Sequence, residues 1–216
     1  MTRDPREVRA LAAELAEIVG PGHVITSPVE LQAYGYDASL ESARPDAVVL
    51  PDSARDVVRA VRAANALNFP IVARGAGTSV SGGSIPIAGG VMIAFSRMNR
   101  ILEIDPENLC ATVEPGVVNL DLSLATAPYG LRYVPDPSSQ KTCTLGGNAA
   151  ENAGGLLCFR YGTTVNHVTG LELVTAEGEI HAIGGKAPGA PGYDLLGALI
   201  GSEGTLGIFT KLTLRL

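Results

Sequence analysis

Val72-Ala73-Arg74-Gly75-Ala76-Gly77-Thr78-Ser79-Val80-Ser81-Gly82-Gly83 is the stretch on which the reading of the fold turns. It follows an apolar run at residues 70–73 that reads as a strand, and it leads to another strand at 91–95 instead of opening a long helix. A Rossmann fingerprint sets its glycines between a strand and a helix, so that fold is excluded. Small residues with two hydroxyls let consecutive N–H groups turn inward as an anion nest, to which Thr78 and Ser79 add hydroxyl donors. That chemistry suits a pyrophosphate. A flexible glycine-rich surface loop is the competing reading of the stretch taken alone.

Upstream, residues 47–50 read as a strand, and Ser53 can cap a helix that runs through Asn68 to the strand at 70–73, which makes a parallel, right-handed βαβ unit. Earlier still, Asp4 can cap a helix with Pro5 at its first position, and Val8, Leu11, Leu15 and Ile18 recur at helical spacing until Gly20. A short helix is predicted near 28–34. Downstream of residue 95 the pattern changes to extended runs at 101–105 and 111–114 and a helix near 118–127. A strand at 168–175, a hairpin turn at 176–179, a strand at 180–183, a short helix near 193–200 and a last strand at 208–216 complete the chain. The predicted fold class is α+β in two lobes. A small parallel βαβ lobe spans about residues 1–100, and a larger lobe with a mixed or antiparallel sheet flanked by helices spans about 101–216.

Composition bounds the function. With 46% hydrophobic and 18% charged residues, 216 residues suffice to bury a substantial core. The 22 acidic residues outnumber the 16 basic ones, for a net charge of −6, and no basic face is concentrated enough to neutralise nucleic-acid phosphates. One pyrophosphate remains compatible, because backbone N–H groups hold it without formal charge. Cys110, Cys143 and Cys158 lack CxxC spacing and read as buried or inert thiols. The opening residues lead straight into an amphipathic pattern, and no apolar run approaches the ~20 residues of a membrane span. The expected setting is cytoplasmic, compatible with peripheral attachment at a membrane.

Two further stretches share the economy of the first. Residues 135–155, Pro-Asp-Pro-Ser-Ser-Gln-Lys-Thr-Cys-Thr-Leu-Gly-Gly-Asn-Ala-Ala-Glu-Asn-Ala-Gly-Gly, are nearly all small, polar or backbone-directing. Their two Gly-Gly pairs allow a flat ring or a ribityl chain to lie against main chain; two tight turns around a short helix are the bland alternative. Gly201-Ser202-Glu203-Gly204-Thr205-Leu206-Gly207-Ile208 stands directly before the last strand.

Together these segments resemble the FAD-binding domain of the vanillyl-alcohol oxidase or p-cresol methylhydroxylase (PCMH) superfamily, and within it the branch of D-lactate dehydrogenase and the FAD-linked subunit of glycolate oxidase. The resemblance runs from about Tyr34 to Leu216. It implies a PCMH-type FAD-binding domain in which Arg74, Gly75, Ala76, Gly77, Thr78 and Ser79 form the pyrophosphate loop, with Gly82 and Gly83 beside it. Pro135, Thr142, Gly146, Gly147, Ala150, Asn152 and Gly155 are implied to meet the flavin ring and ribityl chain. Val168, Glu203, Gly204 and Ile208 are implied to meet the adenine-side half.

Some members of the superfamily attach flavin through a histidine at the place filled here by Thr78, so the resemblance implies non-covalent FAD. His23, His167 and His181 read as structural, with His167 carrying the best claim to a role. Cys158, after Leu156-Leu157, reads as core. Arg74 has two readings, support for phosphates or a pairing with a neighbouring carboxylate, and the pairing is favoured. No metal-ligand pattern and no catalytic residue is found in the chain. The implied reaction, hydride removal from C2 of a small 2-hydroxy acid, therefore needs a substrate-binding domain or partner subunit beyond these residues. The alternative is a non-catalytic FAD-binding subunit or scaffold.

Overall fold

The computed structural model describes residues 3–187, 189 and 192–216, so Met1 and Thr2 of the opening lie outside it. The chain divides into two units. One comprises the residues up to Arg97 together with Ala176–Glu179; the other comprises Met98–Thr175 and Ile180–Leu216.

In the first unit α1 (Pro5–Val19) starts as its sequence requires, with Asp4 accepting the Arg6 N–H and Pro5 leading. Leu11, Leu15 and Val19 are its buried residues. Ser53 likewise caps α3 (Ala54–Ala66), accepting the Asp56 N–H at 3.3 Å. That helix ends short of the predicted Asn68, because Asn68 takes a left-handed φ of 55° and Phe69 donates back to the Ala64 carbonyl. Between the two helices lie a strand too short to read from sequence, β1 (Val24–Ile25), and α2 (Pro28–Gln32).

The sheet of this unit runs in the order β1, β2 (Ala47–Val49), β4 (Val91–Ala94), β3 (Ile71–Arg74). Strands β2 and β3 are parallel to β4, and β1 is antiparallel to β2. The two strands of the predicted βαβ unit are parallel, as expected, with β4 lying between them. All four β4 residues are buried, whereas β3 is half-buried except at Arg74, so the more apolar strand takes the central place.

The second unit holds an antiparallel sheet in the order β5 (Ile101–Asp105), β6 (Cys110–Val113), β9 (Ile208–Arg215), β7 (Val168–Val174), β8 (Ile180–Gly184). Its helices are α4 (Asn119–Thr126), α5 (Leu145–Glu151), α6 (Cys158–Tyr161) and α7 (Leu195–Leu199). Helix α5 packs on β9 and α7 on β7 and β8. They enclose a core that includes Val113, Leu122, Tyr133, Leu145, Ala149, Leu171, Leu212 and Leu214. Among the described residues no helix is long and apolar enough to cross a membrane.

Candidate functional site

The glycine loop of the first unit leaves β3 with its amides unspent. Among the described residues, none of the N–H groups of Gly75, Ala76, Gly77, Thr78 and Ser79 donates to an acceptor in the chain. Such groups need partners when water is excluded, and these residues are half-buried. The far side of the loop is tied down instead. The Ser79 carbonyl accepts from Ala38, Ser81 donates to Ser79 Oγ at 3.0 Å, and Gly82 donates to Asp37 Oδ2 at 3.0 Å. Gly82, placed beside the phosphates by the resemblance, has therefore committed its amide elsewhere, while Gly83 keeps its own.

Gly77 adopts φ +67°, where only glycine is unstrained, and a Cβ there would overlap the Arg74 guanidinium. Arg74 itself is buried at 6% exposure. The expected pairing with a carboxylate does not form: its hydrogen bond is Nη1 to Ser84 Oγ at 3.3 Å, and it makes no ion pair among the described residues. Burial lowers the guanidinium pKa, opposed first by the charge of Asp37.

Within the second unit the structure brings most of the predicted flavin contacts into one cluster. Asp136 Oδ1 accepts the Leu157 N–H at 3.0 Å, and Gly155 lies so close to Asp136 that a Cβ would overlap its carbonyl, so the 135–155 segment is clasped at its ends. The Pro135 carbonyl accepts from Asn119 Nδ2 at 3.0 Å. Gly201 and Glu203 donate at 2.9 Å to the carbonyls of Ala149 and Ala150, which docks the 201–204 turn on the end of α5. Three residues of that turn, Gly201, Glu203 and Gly204, have positive φ. Asn152 closes α5 at φ 50°, and its Oδ1 accepts the Val165 N–H at 3.0 Å.

The glycines at the start of α5 serve packing. Gly146 donates to the Pro115 carbonyl, and a Cβ on it would stand 2.5 Å from Pro115 Cβ; Gly147 donates to Thr144 Oγ1. Their amides are spent. Among the described residues, the free donors in and beside the segment include the N–H groups of Gly154, Gly155 and Leu156 and the exposed Thr142 hydroxyl. Asn148 Nδ2 and Ser202 Oγ, in and beside the segment, are buried with no hydrogen-bond partner among the described residues.

The proposed adenine-side contacts do not all meet. Val168 pairs with Leu214 and Val174 with Ile208, so Val168 and Ile208 stand at opposite ends of the β7–β9 ladder, roughly 20 Å apart at ~3.3 Å per residue. Both are buried in the core. Glu203 and Gly204 remain together. His167 is a structural tie, since a carbonyl only accepts and its Nε2 therefore donates to Tyr161 O at 3.1 Å. Burial lowers its pKa. Cys158, read as core, is only half-buried at the start of α6, where Leu156 and Phe159 are exposed.

A family model described as an FAD binding domain matches residues 45–184. The glycolate oxidase subunit GlcD of Bacillus subtilis is 44% identical over all of this chain and 45% of its own length. A D-lactate dehydrogenase of Anaerostipes hadrus is 41% identical over 86% of the chain and 38% of its own length. The chain thus spans less than half of these relatives. Among solved structures, p-cresol methylhydroxylase with substrate bound shares the fold with a TM-score of 0.85 at 24% identity, over 99% of this chain and 44% of that one.

Proposed function

The chain belongs to the FAD binding domain family, and from that premise we propose how its parts hold the cofactor and what the longer protein does with it. The free amides of Gly75, Gly77, Thr78 and Ser79 take the diphosphate, joined by the Thr78 and Ser79 hydroxyls. The flavin and ribityl chain lie along the 135–155 segment, met by the amides near Gly155, the Thr142 hydroxyl and the Asn148 amide. Gly146 and Gly147 shape that segment and donate nothing to the ligand. The complex is dissociable, since Thr78 offers no nucleophile for covalent attachment.

When bound, FAD supplies the redox step, accepting hydride from C2 of a small 2-hydroxy acid of the glycolate or D-lactate kind. This chain binds and orients the cofactor. It contributes no catalytic residue, and the substrate site is completed by a second domain or a partner subunit.

The observation that carries the reading is the unbroken run of unpaired amides at residues 75–79 on the exit of a parallel strand. An absorption spectrum of the purified protein, followed by release of flavin on heating, tests it. Yellow protein that releases intact FAD is expected, with turnover of glycolate or D-lactate by an artificial electron acceptor only when a C-terminal extension or partner is supplied. Colourless protein that ignores added FAD overturns it.

A further inference from the structure

His167 is buried in the second unit, where the chain enters β7, and three other parts of that unit meet it. Its Nε2 donates to the Tyr161 carbonyl at 3.1 Å, the Tyr133 ring stands edge-on with centroids 6.0 Å apart, and the Arg215 N–H of β9 donates to the His167 carbonyl at 2.7 Å. Nδ1 is buried without a hydrogen-bond partner among the described residues. With the proton on Nε2, Nδ1 is a bare acceptor. A second proton would make it a buried donor whose acceptor is not in place, and would set a cation in the field of the Arg215 guanidinium. Burial is the largest influence against that proton; the Arg215 charge adds to it, and the backbone groups of Tyr161 and Arg215 offset part of it. The Tyr133 phenol is held protonated by its own burial, and no carboxylate pairs with His167 among the described residues.

The tie matters because of what it fastens. Between Tyr161 and His167 the chain straps the end of α5: the Thr164 N–H and hydroxyl both donate to the Ala153 carbonyl, at 3.1 and 2.7 Å, and the Val165 N–H donates to Asn152 Oδ1 at 3.0 Å. Ala153 leads directly into Gly154 and Gly155, whose amides are free. We propose that His167 is an acid-sensitive clasp: neutral, it fastens residues 161–167 across the end of α5; protonated, it releases them and loosens the 152–155 main chain. The clasp stands on contacts within the chain, while its effect on the cofactor rests on the FAD reading above. A histidine whose folded pKa lies below its ordinary 6.5 leaves the folded state with fewer protons than the unfolded one. Its contribution to stability is therefore full above 6.5 and is lost as pH falls below that value.

The test uses the whole chain stripped of flavin, as wild type and as His167→Gln, whose amide offers Tyr161 a neutral donor that does not titrate. Amide hydrogen exchange, corrected for the intrinsic effect of pH, is measured at about pH 7.5 and about pH 5.5, and FAD is titrated at both. In the wild type the amides of Thr164, Val165 and His167 should lose about tenfold in protection on acidification, on the scale of one buried donor left unmade. Those of the β2–β4 ladder should hold within about twofold. FAD should weaken about tenfold over the same interval, and His167→Gln should change by about twofold or less in both measurements. Equal acid losses in wild type and variant, or a loss spread evenly along the wild-type chain, would overturn the clasp. Should the variant not fold, the wild-type exchange pattern decides by itself. A local loss of protection with FAD affinity unmoved overturns the link to the cofactor. A protein that takes no FAD at either pH overturns the FAD reading instead, and the exchange pattern still upholds or sinks the clasp.

Discussion

Two glycine-rich segments of this chain look alike as strings and differ as physics. At residues 75–79 the amides are left unpaired and the chain offers them no acceptor. At 145–147 the amides of Leu145, Gly146 and Gly147 are spent internally, on Val117, Pro115 and Thr144, and the two glycines use their missing side chains to let the chain approach itself closely. Glycine in the first is about access for a ligand; glycine in the second is about close approach of the chain to itself. Only the first kind marks a binding surface by its donors, and a count of glycines cannot tell the two apart.

The contrast is broken most severely by exchanging their failures. Gly146→Ala presses a methyl group onto Pro115, 2.5 Å from its Cβ and 2.9 Å from its carbonyl oxygen, which cannot swing away, so a loss of about 3 kcal/mol in stability is expected from overpacking. Gly77→Val, at φ +67° on the ligand loop, should instead weaken FAD at least about 100-fold, since a branched side chain both strains the backbone and fills the space meant for the diphosphate. Urea unfolding and FAD titration of both variants check the pair. Should Gly77→Val lose stability with unaltered affinity, the two segments serve the same purpose and the distinction collapses.

Much of this architecture was legible in the sequence. Asp4 with Pro5, and Ser53, announced the two long helices, and apolar runs announced every strand but β1. What could not be read depended on partners far along the chain. The Gly82 amide is removed from the phosphate loop by Asp37, 45 residues away. The separation of Val168 from Ile208 follows from an antiparallel register that no local pattern encodes. The insertion of β4 between β2 and β3 is a long-range pairing that no local pattern encodes. Arg74 reads from sequence as one half of an ion pair because backbone donors can hold a phosphate without it; that its hydrogen bond goes to the Ser84 hydroxyl instead is visible only when every partner is placed.

A subtler test concerns Asn152, assigned to the flavin by resemblance and found holding the Val165 amide. Asn152→Gly keeps the left-handed backbone and deletes the side chain. If its work is internal, stability should fall by about 1 kcal/mol while flavin affinity holds within about twofold. A drop in flavin affinity without a stability change would assign the side chain to the ligand and extend the access-type surface into the second segment.

The smallest effect is expected where neither segment is involved. Lys186 bridges Glu103 at 2.6 Å and Asp105 at 2.7 Å on the second unit's sheet edge. The Lys186 contact, followed by the Asn108 side chain and amide, lowers the Asp105 pKa to about 2 from its ordinary 3.8. A carboxyl whose folded pKa is depressed stabilises the fold above its unfolded value, and that contribution fades as pH falls from about 4 toward 2. Asp105→Asn should therefore flatten the acid limb in that window and lower stability at neutral pH by the same amount, the two proteins converging near pH 2, and that amount should be small because solvent and salt screen the pair. FAD affinity should be untouched at every pH where the protein is folded. An acid limb identical to wild type would show that the carboxylate gains nothing from its neighbours, whereas an altered FAD affinity would mean that this sheet edge communicates with the cofactor after all.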